Sequence, residues 1–339
     1  MFKKIINYIV DTLKEEYKFI IFMLLLLFIL NFPINYYIVV GGGISEVGER
    51  IEVENKKDSK GSFNISFVSQ LDANILTYAL SYIIPTWERE DPSIYKFDST
   101  ESLDDIEFRS ELDLKTANGT ATYWAYTLAN KKVKEISSKL YVIGTTPSTY
   151  ETSLKVQDEI IEVEGKHFDT IEEYKEIINS KNVGEELTLK IVRNNKEIEV
   201  KNKVYENDGS KIIGVYLQYV KEYETEPKVE IHFKSNESGP SAGLITTLEI
   251  YNQLTNKDLT NGYTIAGTGT IESDGTVGEI GGIEHKILGA ASAKADYFLS
   301  PSGDNYKQAK KYIEEKNLKI KLIEVNSIED AIEKLEGLK

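Results

Sequence analysis

The stretch that decides the fold is Ser238-Gly239-Pro240-Ser241-Ala242-Gly243, which follows a strand-like segment and precedes a helix-like one. Gly239 and Pro240 end the preceding strand, and proline is well suited to the first position of a helix. The pattern therefore places Ser241 in a first helical turn, where backbone N–H groups lack intrahelical acceptors and the helix dipole is positive. Such a turn, in the region of Gly239, is a natural site for the oxyanion that a serine nucleophile forms.

A serine hydroxyl also needs a base that takes its proton. The sequence has three histidines, and no aspartate pattern favours any of them as that base: His167, His232 and His285. The alternative base is Lys286, whose neighbours are apolar or small: Ile287, Leu288, Ala290 and Ala291. Burial disfavours the ammonium form, so a desolvated lysine accepts a proton near neutral pH. Spacing alone leaves a second interpretation open, in which Lys286 only covers apolar surface with its stem.

Four motifs occur in the order seen in the proteolytic domain of Lon proteases: Gly239–Gly243, Thr268-Gly269, the G-x-V-x-x-I-G-G run Gly275–Gly282, and Lys286. The chain resembles that domain over roughly 120 residues, as far as Phe298–Pro301 and beyond. The resemblance implies that Ser241 is the nucleophile, that Lys286 is the base and that Thr268 orients the lysine. His232 falls where these enzymes often carry an accessory histidine, although a histidine on a strand surface explains it equally well. Ser238 stands where the ATP-dependent members often have aspartate.

A second resemblance covers residues 138–204. The run L-K-x-x-D-x-I-x-x-V-x-G at Leu154–Gly165, a capped helix that begins near Thr170 and a hairpin at Asn194-Asn195 are similar to a PDZ domain. PDZ domains bind an extended peptide by adding it as a strand beside a helix. Gln157 stands where the family usually has glycine, and the carboxylate-binding loop, placed near Lys139–Gly144, is degenerate. A spacer domain without a ligand is the alternative.

The N-terminus predicts a membrane anchor. Phe19–Leu30 is an unbroken apolar run, and the apolar character continues to Val40, which is long enough for a transmembrane helix over 19–40. Four lysines precede the run and no basic residue follows it before Arg50, so residues 1–18 are expected in the cytoplasm. The alternative is a cleaved signal peptide, but no A-x-A-like cleavage site follows the run.

The composition argues against several kinds of partner and site. The chain has 40 basic and 55 acidic residues, a net charge of −15, which argues against nucleic acid as a partner. It has no cysteine, and its three histidines are scattered, so we expect no metal site and no thiol chemistry. It contains no G-x-x-x-x-G-K-[ST] loop, so we expect no nucleotide and no cofactor.

The whole chain resembles the membrane-anchored, PDZ-containing Lon-like serine proteases of Gram-positive bacteria. The resemblance implies an α+β multidomain protein with these parts: a cytoplasmic N-terminus 1–18, a transmembrane helix 19–40, a juxtamembrane region 41–137, a PDZ-like domain 138–204 and a Lon-like proteolytic domain 213–339. We expect an ATP-independent endopeptidase outside the cell membrane that acts on exported or unfolded chains, with assembly into a homo-oligomer left open. One alternative is a membrane-tethered PDZ binding module with an inactive protease scaffold. Another is a structural partner in cell-envelope assembly.

Overall fold

The structure is a computed structural model that describes residues 2–56, 59–146, 148–234, 237–255 and 257–338. The described residues form eight α-helices: α1 (Phe2–Leu30), α2 (Ile75–Leu80), α3 (Leu103–Leu128), α4 (Ile171–Asn179), α5 (Gly243–Leu254), α6 (Ile283–Ser292), α7 (Asp304–Lys316) and α8 (Ile328–Glu336).

The strands of the described residues are β1 (Pro33–Glu46), β2 (Ile51–Val53), β3 (Ser62–Asn74), β4 (Glu88–Glu90), β5 (Lys132–Thr145), β6 (Glu159–Val163), β7 (Glu186–Arg193), β8 (Lys196–Lys203), β9 (Tyr205–Asn207), β10 (Ser210–Ile212), β11 (Val215–Glu226), β12 (Val229–Ile231), β13 (Thr264–Gly267), β14 (Thr270–Ile271), β15 (Val277–Gly278), β16 (Tyr297–Pro301) and β17 (Lys321–Val325). Short 3-10 turns lie at Pro92–Tyr95 and Pro240–Ala242.

The chain divides into two compact units, of which the first consists of Met1–Gly41 and Val68–Ile94. In this unit α1 ends at Leu30, and the next strand begins at Pro33. The prediction of one transmembrane helix over 19–40 is therefore wrong, because the helix ends at Leu30 and the chain continues as a strand. Pro33 cannot continue the helix, and the β-branched and aromatic residues of Tyr36–Val40 favour a strand, which pairs with β4.

Apolar side chains of α1 are widely exposed within the first unit; Phe28 is 71% exposed. Among the described residues, however, no helix combines the length and the hydropathy that crossing a membrane requires.

The second unit consists of Gly42–Phe67 and Tyr95–Lys339, and a parallel sheet with the order β17-β16-β13-β3 lies at its centre. Alternate residues of its strands face opposite sides. Ile265 and Leu299 pack in the cluster that contains residues of α5 and α8, while Ala266 and Phe298 pack with α6 and α7. A parallel sheet covered on both faces needs apolar residues on both sides, and this explains why all of Tyr297–Pro301 is buried.

The predicted juxtamembrane region 41–137 contributes directly to this unit. Its strand β3 pairs with β13, and β2 pairs with β12 just before the serine motif. Its helix α3 packs against α5. Much of this region therefore belongs to the same packed unit as Ser241. In the chain, the PDZ-like residues lie between this region and the segment that contains Ser241.

A five-stranded sheet with the order β11-β5-β6-β7-β8 and helix α4 form the PDZ-like part. The predicted helix cap is present, with Thr170 Oγ1 accepting a hydrogen bond from the Glu173 N–H at 3.2 Å. Asn194 and Asn195 have φ of 52° and 60°, as a tight hairpin turn requires. Gln157 has φ of 77°, a conformation that glycine adopts at lower cost, which explains why the family pattern has glycine there.

Candidate active site

Ser241 lies in a tight turn between strand and helix. Gly239 has φ of 85°, and Pro240 starts the 3-10 turn that runs directly into α5. A Cβ at Gly239 would meet no atom within 4 Å, so glycine is favoured here by its backbone conformation alone. The N–H of Gly239 donates to the Ser110 carbonyl at 2.9 Å. That N–H is therefore engaged within the protein, and the turn holds Ser241 half-buried at the start of the helix.

Lys286 reaches Ser241 from α6. Its Nζ lies 3.0 Å from Ser241 Oγ and 3.0 Å from Thr268 Oγ1. Only 4% of Lys286 is exposed. The structure therefore brings together the three residues for which the sequence predicts nucleophile, base and orienting roles.

Thr268 contacts both Lys286 and Ser241 and is itself fully buried. Its Oγ1 donates to the backbone carbonyl of Ser241 at 3.1 Å, which leaves an oxygen lone pair for the Lys286 amine. The N–H of Gly269 donates to the same Ser241 carbonyl at 2.9 Å. The segment that follows β13 thus fixes the backbone of the serine and the head group of the lysine together.

Burial lowers the pKa of Lys286 to about 8, because removal from water penalises the charged ammonium. At pH 7 about a tenth of the side chain is then the neutral amine, compared with well under a thousandth for an ordinary lysine. The neutral form can accept the Ser241 proton at the observed distance. The electrostatics therefore suit general-base chemistry.

Two residues that sequence reasoning missed hold the helix that carries the lysine. Ser66 Oγ, on β3, donates to the backbone carbonyl of Lys286 at 2.6 Å. Asn305, in the first turn of α7, binds both backbone groups of Ile280, accepting its N–H at 2.8 Å and donating to its carbonyl at 3.0 Å. Ile280 lies just before Gly282, which has φ of 68° at the start of α6. No local sequence signal marks Ser66 or Asn305, because their partners are distant in the chain.

His232 is placed away from these contacts. Its side chain is exposed, with Nε2 3.5 Å from Glu230 Oε2. The described side-chain hydrogen bonds of the Lys286 amine go to Ser241 and Thr268 instead. The geometry thus fits a surface histidine just after β12. Within the described part of the chain, no group of three or more histidine, aspartate or glutamate side chains is arranged to hold a metal ion.

The PDZ-like sheet offers a second candidate site at a different strand from the predicted one. The predicted carboxylate loop, near Lys139–Gly144, lies in β5, which is paired with β11 on one side and with β6 on the other. An interior strand has no free edge for a peptide. The outer strand is β11. The end of α4 is attached to β10, the strand just before β11, where Lys211 Nζ donates to the Asn179 carbonyl. Partly buried apolar side chains of β11 and α4 pack on the same core: Val215, Leu217, Tyr219, Ile171 and Ile177.

Two family models match the chain. Residues 215–336 match the C-terminal proteolytic domain of Lon protease (S16), and residues 129–204 match the PDZ domain. The chain carries a PDZ domain and a Lon-type proteolytic domain. Together they fit an α+β multidomain protein, and they support a serine protease that binds peptides. Ser66, Ser110 and α3 lie outside both matched ranges, and β11 lies within the range matched to the Lon domain.

Several solved structures are similar to part of the chain. The PDZ domain of an SdrC-like protein from Listeria monocytogenes is 23% identical, and the match covers 25% of this chain and 92% of that domain, with a TM-score of 0.22. The corresponding domain from Listeria innocua is 26% identical over 23% of this chain and 92% of its own length, also with a TM-score of 0.22. A solution structure of the second domain of a Listeria innocua protein is 27% identical over 24% of this chain and 86% of its own, with the same score. No curated protein is significantly similar to the chain.

Proposed function

We propose that the chain is an ATP-independent serine endopeptidase that uses a dyad of Ser241 and Lys286. The observation that carries the proposal is the 3.0 Å distance between Lys286 Nζ and Ser241 Oγ, with the lysine buried and its pKa lowered to about 8. The match to the Lon proteolytic domain supports the same chemistry. ATP independence rests on the sequence, which contains no phosphate-binding loop motif.

In the proposed mechanism, neutral Lys286 takes the Oγ proton of Ser241 as Oγ attacks the carbonyl carbon of the scissile peptide bond. The backbone N–H of Ser241, in the first turn before α5, is the proposed donor to the resulting oxyanion. The Lys286 ammonium then returns its proton to the leaving amine as the C–N bond breaks. A water molecule, deprotonated by the same lysine, hydrolyses the acyl-enzyme and restores the free serine.

We propose further that the PDZ domain binds extended segments of the substrate at the outer edge of β11, beside α4. The support is the position of β11 as the outer strand of the described sheet, together with the apolar side chains that β11 and α4 contribute to one cluster. A peptide with a free C-terminus and the same peptide with a C-terminal amide distinguish capture of a chain end from capture of an internal segment. Leu217→Asp places a charge on the proposed groove and should raise the KM for such substrates while leaving the chemistry at Ser241 intact.

The location outside the cell membrane remains a proposal that rests on the N-terminal sequence. The apolar run Phe19–Leu30 follows four lysines and precedes a long segment without basic residues. Fractionation of cells that produce the full chain, or the chain without residues 1–30, tests it. Recovery of both forms in the same soluble fraction would contradict it.

The experiment that tests the enzymatic proposal is cleavage of an unstructured polypeptide by the full-length protein, without ATP and with a metal chelator present. Cleavage that is lost in Ser241→Ala and in Lys286→Ala supports the dyad. If both variants cleave like the wild type, the dyad is wrong. If the wild type binds the polypeptide without cleaving it or reacting with a serine-directed probe, the alternative of a PDZ binding module with an inactive protease scaffold is favoured.

A further inference from the structure

Arg109 is a buried arginine at the boundary between the PDZ domain and the proteolytic domain. It is 9% exposed and is the first buried residue of α3. The residues before it on this helix are exposed or half-buried. Its Nη1 donates to the carbonyl of Ile143 on PDZ strand β5 at 2.7 Å. Its guanidinium also pairs with both carboxylate oxygens of Glu101, at 3.1 and 3.3 Å. Arg109 thus fixes the first two turns of α3 against the PDZ domain.

The contacts of Phe97 strengthen this attachment. The Phe97 ring lies 4.3 Å from the Arg109 guanidinium and stacks on Tyr216 of β11 at 4.1 Å. It also covers Gly144 of β5, where a Cβ would lie 2.2 Å from the ring. Gly144 and Tyr216 pair with each other across β5 and β11, so this part of the PDZ sheet is packed onto the segment that Arg109 holds.

The residue after Arg109 contacts the catalytic turn. The carbonyl of Ser110 accepts the hydrogen bond from the Gly239 N–H at 2.9 Å, two residues before Ser241. We propose that Arg109 is a positioning residue for the proposed reaction: by fixing the start of α3 on the PDZ domain it fixes Ser110, and through that carbonyl it holds the turn that carries Ser241. This inference rests on the proposed role of Ser241 as nucleophile.

The geometry gives a physical reason to expect a large loss of reaction rate when Arg109 is replaced. A nucleophile must be held close to its attack geometry, and a displacement of about 1 Å costs on the order of 100-fold in rate. The Gly239 turn has a left-handed glycine and no side-chain cap, so the Ser110 carbonyl is an important restraint on it. A loosened α3 should therefore lower the rate of reaction at Ser241 more than it lowers substrate affinity.

The chain offers a matched control for this test. Arg193 pairs with Asp158 through Nε and Nη2 at 2.7 and 2.6 Å and donates to the Ser153 carbonyl at 2.9 Å. It therefore has the same kind of contacts as Arg109, including a buried carboxylate partner, but they lie wholly inside the PDZ domain. Neutral double variants of each pair avoid leaving a buried charge without a partner.

The test compares Arg109→Met/Glu101→Gln with Arg193→Met/Asp158→Asn in the full-length protein. The readouts are the rate of covalent labelling of Ser241 by a fluorophosphonate probe, kcat and KM on an unstructured polypeptide, and the melting temperature. We expect the Arg109 pair to lower labelling and kcat by on the order of 10- to 100-fold with little change in KM. The Arg193 pair should keep the wild-type labelling rate even where its melting temperature falls as much.

Equal labelling rates in the two double variants would overturn the inference, and so would wild-type labelling by the Arg109 pair. If the Arg109 pair fails to fold, Arg109→Lys replaces it, because lysine keeps the charge without the planar fork. A folded Arg109→Lys that labels at the wild-type rate overturns the inference as well. Ser241→Ala separates the two proposals: if it is still labelled, the proposed function fails, whatever Arg109 does.

Discussion

Lys286 Nζ lies 3.0 Å from Ser241 Oγ although 45 residues separate the two in the chain. The contact depends on three elements: the turn after Gly239, the segment after β13 that carries Thr268, and the helix α6, which the left-handed Gly282 precedes. These elements carry Ser241, Thr268 and Lys286 respectively. The burial of the Lys286 amine lowers its pKa.

Activity should rise with pH through the titration of Lys286. The pKa of its ammonium is about 8, and the reactive form is the neutral amine above that value. We therefore expect kcat/KM to increase from pH 6 and to level off above about pH 9. A pH–rate profile on a substrate without titrating groups checks this. A rate that falls between pH 7 and pH 9 would exclude the lysine as the base.

Replacement of the lysine should stabilise the protein while removing its activity. The difference between a pKa of about 8 and the ordinary 10.5 corresponds to roughly 3 kcal/mol of unfavourable burial at pH 7. Because the folded-state pKa is the lower one, this cost is full below pH 8 and disappears as pH rises to 10.5. Lys286→Met should therefore unfold at higher denaturant concentration than the wild type at pH 7, and this advantage should vanish near pH 10.5. A less stable Lys286→Met at pH 7 would argue against a desolvated amine.

Thr268→Val should lower the rate and spare the binding of substrate. The valine lacks the oxygen that accepts from Lys286 and donates to Ser241, while the Gly269 N–H still holds the serine carbonyl. We expect kcat to fall by on the order of 10- to 100-fold, with KM close to the wild-type value. Thr268→Ser keeps the hydroxyl and should recover most of the rate. Equal losses in the valine and serine variants would indicate a packing defect instead.

Asn305→Ala should lower both stability and activity. The alanine leaves the N–H and the carbonyl of Ile280 without their side-chain partners, which costs about 1–3 kcal/mol for buried groups. Asn202 is a matched control in the PDZ domain, because it binds the Ser153 N–H and the Ile213 carbonyl in the same way and is equally buried. Both variants should lower the melting temperature, but only Asn305→Ala should slow the labelling of Ser241. The prediction fails if Asn202→Ala slows it equally.

Local patterns in the sequence were sufficient to predict three elements: the serine turn, the capped helix at Thr170 and the hairpin at Asn194 and Asn195. Each of these depends on residues within a few positions of one another, where glycine, proline, asparagine and threonine have direct conformational effects. The dyad itself could be inferred only through resemblance, because spacing along the chain left Lys286 with two interpretations.

The relationships that escaped prediction are those between distant segments. Gly267 of β13 pairs with Ile65 of β3, about 200 residues earlier, and no periodicity reveals the partner of a strand. For the same reason Ser66 and Asn305 could not be recognised as supports of α6, and β11 could not be recognised as the outer strand of the PDZ sheet. The predicted transmembrane helix over 19–40 is wrong because hydropathy alone does not distinguish an apolar helix from the β-forming residues that follow Pro33.

The most direct measurement for the dyad is the rate at which a fluorophosphonate probe labels the full-length protein, with the modified residue identified by mass spectrometry, in the wild type and in Lys286→Met. The account predicts that the label is on Ser241 and that Lys286→Met, although folded and at least as stable, reacts on the order of 10²- to 10⁴-fold more slowly. A label on another residue, or a Lys286→Met variant that reacts as fast as the wild type, would contradict it.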